Sequence, residues 1–243
     1  MNTFKTLPRN KLLLVAAISS SLFLSACSDS DNTPEVTPPT PPAPVVNQVY
    51  SVTVTNLTAN QPMSPITLIA HGDISAWQVG SPASLALETI AESGDGSLFS
   101  SMDDVDSVTV GAGILPPGMS ESIELSLTPD DVDSLSILTM LVNTNDAFAG
   151  LNDFSLSELA VDQTIRFRSI AYDAGTESNS EAKGTLPGPA DGGEGFNAMR
   201  DDVDRVHAHP GVISQDDGLT DSVLSASHRF DNPVLSIMIN RTQ

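Results

Sequence analysis

Two kinds of hydrophobic patterning alternate along this chain. Residues 50–57 (YSVTVTNL) put β-branched and polar side chains in turn, the period of a half-buried strand. The same alternation returns at residues 108–110, 123–127 and 163–171. In the last of these, Ile165, Phe167 and Ser169 share one face, while Arg166, Arg168 and Ile170 share the other. Residues 66–70, 206–209 and 234–239 add short strand candidates. Residues 135–142 (LSILTMLV) are apolar almost without a break, as in a strand buried on both faces. One stretch has helical spacing. After Pro82, residues Leu85, Leu87, Ile90 and Ala91 make a broad apolar face, and Gly94 ends it. Turn signals such as Leu115-Pro116-Pro117-Gly118 separate the segments, and no repeat of fixed period is present. Short strands, Pro/Gly turns and a single helix predict a mainly β fold, an antiparallel β-sandwich with one or two short helices.

The N-terminal part follows neither pattern. Lys5, Arg9 and Lys11 precede the apolar residues 12–24 (LLLVAAISSSLFL), the layout of a secretory signal and too short to span a bilayer comfortably. The segment runs into Leu24-Ser25-Ala26-Cys27, which resembles a bacterial lipobox. That resemblance implies cleavage after residue 26, lipidation at Cys27 and anchoring in the membrane through several acyl chains. Ser28 in the next position favours the outer membrane of the cell envelope. Residues 27–47 then read as the lipidated cysteine and a Pro-rich tether, since Pro38-Pro39 and Pro41-Pro42 favour extended polyproline II. The folded domain is expected over residues 48–243.

Composition narrows the functions. The chain has 243 residues, 31 acids against 10 bases and a formal net charge of -21. Loss of the three bases in residues 1–26 moves that -21 to -24. No basic stripe exists for phosphates, so nucleic acid is excluded as a partner. The one cysteine cannot form an internal disulfide or a Cys-rich zinc site. No G-x-S-x-G motif occurs, and no serine triad is defined by spacing, so the expectation is that the protein is not an enzyme.

Three carboxylates stand out from the acidic background. Asp146 follows the buried run, and Asp173 follows the 163–171 strand. If those strand ends share an edge, Asp146, Asp173 and Glu177 converge, with Gly175 allowing a tight turn. Hard oxygen ligands on loops suit Ca²⁺, which takes about 6–8 oxygens. The alternative is a solvated acidic loop that needs no ligand. A second arrangement is His207-Ala208-His209, whose imidazoles would share one face of a strand and bind a transition metal, with His71 or His228 as a third ligand. Asp103-Asp104-Val105-Asp106 and the two similar runs at 130–133 and 201–204 read as solvated surface, with coordination of extra cations as the alternative, and the Gly188–Gly195 loop reads as a rim element near the Asp146 end.

Three segments carry a family resemblance: residues 50–57 with Gln61-Pro62-Met63-Ser64-Pro65, residues 143–150 (NTNDAFAG), and Tyr172-Asp173-Ala174-Gly175-Thr176-Glu177. Over roughly residues 48–240 the chain resembles the spondin N-terminal domain, the extracellular-matrix module of F-spondin and mindin. The last block is close to that family's Trp-Asp-Ala-Gly-Thr-Asp. The resemblance implies a C2-like β-sandwich holding calcium on Asp146, Asp173 and Glu177. It also implies a role in adhesion or recognition of an extracellular protein or glycan, without catalysis. Ala147 stands where the animal domains have tryptophan, Glu177 replaces an aspartate, and the animal cysteines are absent. The rival reading is an envelope hydrolase or transition-metal-handling protein built on His207 and His209.

Overall fold

The computed structural model describes residues 44–131 and 133–243. The expected signal, Cys27 and most of the expected tether lie outside the described residues. Residues 44–47 are exposed and irregular, and regular structure begins at Gln48.

Ten strands and one α-helix follow among the described residues. The strands are β1 (Gln48–Asn56), β2 (Thr67–His71), β3 (Val105–Val110), β4 (Ser120–Leu127), β5 (Ser134–Met140), β6 (Ala147–Ser155), β7 (Thr164–Ser169), β8 (Tyr172–Asp173), β9 (His207–Ala208) and β10 (Leu235–Arg241). The helix α1 spans Leu85–Ser93, and short 3₁₀ turns occur elsewhere. Two antiparallel sheets result, ordered β4-β1-β10-β7 and β3-β2-β5-β6-β8-β9. The fold is the expected β-sandwich.

The patterning explains which face each strand buries. Val52 and Val54 of β1, Ile123 and Leu125 of β4, and Ile237 and Ile239 of β10 form one wall of the main core. Leu68, Leu135, Ile137 and Ala149 of the six-stranded sheet form the other. The outer face of the four-stranded sheet is polar, with Thr53 and Thr55 bonded to Ser122 and Ser120 at 2.8 Å each. β7 has Ile165 and Phe167 against this core and leaves Arg166 and Arg168 exposed, as its alternation predicts.

The six-stranded sheet is buried on both faces at β2 and β5, which is why β5 has no polar alternation. Its second face carries Ile69, Leu138 and Phe148, covered by Leu87, Ile90 and Ala91 of α1. Ser84 caps that helix by accepting from the Leu87 N–H at 3.2 Å, and Gly94 closes it at φ 77°. Leu85, assigned to the apolar face by spacing, is 58% exposed instead. As the first helical residue it precedes the turn that meets the sheet.

Candidate metal centre

Strand register brings the predicted acids to one place. In the β6–β8 pair, Ala147 lies opposite Asp173 and Phe148 opposite Tyr172. Asp146, one residue before β6, therefore sits beside the turn that leaves β8, and its carbonyl accepts from the Ala174 N–H at 3.2 Å. Aromatic packing holds this register. Phe148 stacks on Tyr172 with centroids 5.5 Å apart, and Trp77 meets Phe148 edge-on at 5.3 Å.

The turn closes onto Asp146. Gly175 adopts φ 72°, and its N–H reaches Asp173 Oδ1 at 2.8 Å. Asp146 Oδ2 then accepts from the Thr176 N–H at 2.8 Å, the Glu177 N–H at 3.1 Å and Thr176 Oγ1 at 3.2 Å. Asp146 Oδ1 is buried and has no partner. Asn145 Oδ1 and Glu92 Oε1 are among the other buried oxygens in that condition, which also include Glu181 Oε2 and Gln61 Oε1. Glu92 comes from the last turn of α1, and its other oxygen accepts from the Asn197 N–H at 2.8 Å. A pocket of about 180 Å³ opens here, lined by Asn145, Glu177, Glu194, Asn197 and Asp201 among others.

Arg200, which pairs with Glu88, is the one base among the described residues that acts on Glu92, and only weakly. Among the described residues, no ion pair involves Glu92, Asp146 or Glu177. Burial, followed by the Asp173 carboxylate, pushes Asp146 up to about 7 against its three hydrogen bonds. Burial, then Glu92, Asp146, Glu194 and Asp201, raises Glu177 to about 8. Glu92 is raised too, by burial first.

Asp146, Asp173 and Glu177 surround a single turn, yet they face different neighbours. Glu177 lines the pocket. Asp173 faces the histidines, with Oδ1 3.7 Å from His207 Nδ1 and Oδ2 3.9 Å from His209 Nε2. Among the described residues, the three ligand atoms that all fall within 4.8 Å of one another belong to Asp173, Asp202 and His207. His209 has both ring nitrogens occupied: the Gly211 N–H donates to Nδ1 at 2.9 Å, and Nε2 meets Asn179 Oδ1 at 3.0 Å. Burial keeps that ring neutral, pushing it down to about 4. His71 is bonded to Ser136 Oγ and the Gly72 carbonyl within its own sheet, and His228 bonds to Ser225. Neither joins His207. The companions of His207 are carboxylates, which the i, i+2 argument did not anticipate.

Reasoning from the sequence missed Glu92, and it read Asp201 and Asp202 as surface acids with cation binding only as the alternative. Asp201 accepts from the Ser178 N–H at 2.8 Å, and Asp204 pairs with Arg200. Of the three Asp-Asp-Val-Asp runs, only that at 201–204 has flanking bases, Arg200 and Arg205, and this was the available signal. Glu194 of the glycine-rich loop does line the pocket rim, as expected. A scan against protein-family models matches none, and a search of curated proteins finds no match either.

Proposed function

We propose that the chain is a cell-envelope lipoprotein whose β-sandwich is a spondin N-like domain that binds calcium and serves adhesion or extracellular recognition without catalysis. The observation that carries this reading is the buried, unpartnered oxygen of Asp146, a carboxylate that forms no ion pair among the described residues. A buried carboxylate in that state is costly unless a cation neutralises it. The donors are all hard oxygens on a turn, a strand end and a helix end, which suits Ca²⁺ rather than a softer ion. Glu92, Asn145, Asp146, Asp173 and Glu177 would hold the ion, which supplies charge balance and fixes the loops at this end of the sandwich. Those loops would form the recognition surface for an extracellular protein or glycan. Among the described residues no helix is long and apolar enough to cross a membrane, and attachment is assigned to lipid at Cys27.

Calcium at about 100 times its dissociation constant is expected to raise the melting temperature by about 5–10 °C over EDTA, for a domain of this size. Asp146→Asn should abolish most of that rise. The pH dependence has a defined sign. Asp146 and Glu177 titrate at about 7 and about 8 in the fold, above the ordinary carboxylate value near 4 in the unfolded chain. The folded state therefore holds more protons between about pH 4 and 8, and without metal its stability falls as pH rises through that window. Calcium replaces those protons, so its stabilising effect should grow from pH 5 to pH 8. Identical melting in calcium and EDTA at pH 8 would overturn the site.

The anchor has its own test. Wild-type protein made in a Gram-negative host should partition into the detergent phase, and Cys27→Ala should move it to the aqueous phase. Equal partition of the two would remove the lipid from the proposal.

A further inference from the structure

We infer that Asp173, Asp202 and His207 form a second metal site, one for a first-row transition ion such as zinc. Their ligand atoms already lie within 4.8 Å of one another. Ligand atoms around tetrahedral zinc are separated by about 3.4 Å, given metal–ligand distances near 2.1 Å, so each pair closes by at most about 1.4 Å. The imidazole decides the class of ion, because nitrogen in the donor set favours zinc and its neighbours over calcium or magnesium.

Each ligand is placed by the fold. Asp173 and His207 are direct partners in the β8–β9 register. Asp202 belongs to a loop fastened on both sides. The Asp201 N–H donates to the Thr176 carbonyl at 3.0 Å, and the Asp204 N–H to the Gly175 carbonyl at 2.8 Å. Arg200 ties the same loop to Glu88 of α1 at 2.6 Å. Ligands on such a braced loop bind without a large ordering cost.

Behind Asp173 runs a directional relay. The Gly211 N–H donates to His209 Nδ1 at 2.9 Å, which places the ring proton on Nε2. His209 Nε2–H donates to Asn179 Oδ1 at 3.0 Å, and Asn179 Nδ2–H donates to Asp173 Oδ2 at 2.7 Å. The chain of donors ends on Oδ2, while Oδ1, which accepts from the Gly175 N–H at 2.8 Å, lies 3.7 Å from His207 Nδ1, itself 3.1 Å from the Arg205 carbonyl that ion binding would release. Supports of this kind orient carboxylate ligands in metal sites. His209 is therefore a positioning residue, and the pairing of His207 with His209 as joint ligands is replaced by His207 with two aspartates.

This site touches the proposed calcium site only through Asp173, so the two can be tested apart. The full chain, saturated with calcium, is titrated with zinc chloride by calorimetry, and with cobalt to read the visible absorption of the bound ion. One zinc equivalent is expected. His207→Gln should weaken it at least 100-fold and Asp202→Asn at least 10-fold, both with the calcium response intact. Asn179→Ala and His209→Gln should each cost about 10–100-fold in zinc affinity and alter the cobalt spectrum, without lowering zinc-free melting in proportion. Glu177→Gln should leave zinc binding unchanged even where it removes the calcium response. Absence of zinc uptake by the wild type, or equal uptake by His207→Gln, would mean that His207 only pairs with Asp173, and the site would be rejected.

Discussion

Arg200→Ala is expected to destabilise the protein by about 3 kcal/mol, the lower end of the range for breaking a buried ion pair. The Glu88 side chain is 4% exposed, whereas that of Arg200 is 28% exposed, so water softens the loss. The guanidinium grips both oxygens of Glu88, through Nε at 3.0 Å and Nη2 at 2.6 Å. Nη2 also donates to the Ala83 carbonyl at 2.8 Å, and Nη1 pairs with Asp204. Removing it strands a buried carboxylate on α1 and frees the loop that carries Asp201 and Asp202. The stranded charge, rather than lost packing, should dominate. Adding Glu88→Gln to Arg200→Ala should therefore recover about half of the loss in urea unfolding. A single mutant within 1 kcal/mol of wild type would show that the pair contributes little.

That ion pair also marks where the sequence stops being informative. The strands were legible because one-sided burial imposes period two, as in β1 and β7. β5 was legible because two-sided burial removes the period altogether. The helix announced its ends through Pro82 and Gly94, and the structure adds Ser84 as its cap. The register between β6 and β8, however, depends on contacts among Trp77, Phe148 and Tyr172 that are far apart in sequence. Convergence of Asp146 with the 174–177 turn could be posed from strand ends, but not the partners of each oxygen.

The remaining acids were hidden by a different cause. Glu88 and Glu92 fall four residues apart on a short helix that is buried over most of its length, from Ala86 to Glu92. Helical spacing alone reads such acids as the solvent face. Their burial comes from residues 194–201 folding back over α1, with Asn197 on Glu92 and Arg200 on Glu88. Nothing local encodes that return. The same holds for β9, only two residues long, which gains its meaning from pairing with Asp173.

Gly175→Ala is expected to cost about 2–4 kcal/mol and to weaken both metal responses together. Two effects combine. An L side chain at φ 72° is strained by about 1–2 kcal/mol. The new Cβ would also lie 2.4 Å from the Arg205 carbonyl oxygen and 2.8 Å from its nitrogen, both backbone atoms that cannot swing aside. Relief requires the 174–177 turn and the 204–206 segment to part. That motion pulls the Thr176 and Glu177 N–H groups from Asp146 Oδ2, and it separates Asp202 and His207 from Asp173. His207→Gln, by contrast, should affect zinc alone, and Glu177→Gln calcium alone. A joint loss in Gly175→Ala, measured by melting in calcium and by zinc calorimetry on the same preparation, is the expected result. Retention of either response at wild-type strength would show that the turn and the loop move independently. Gly175 would then not be the shared hinge of the two sites.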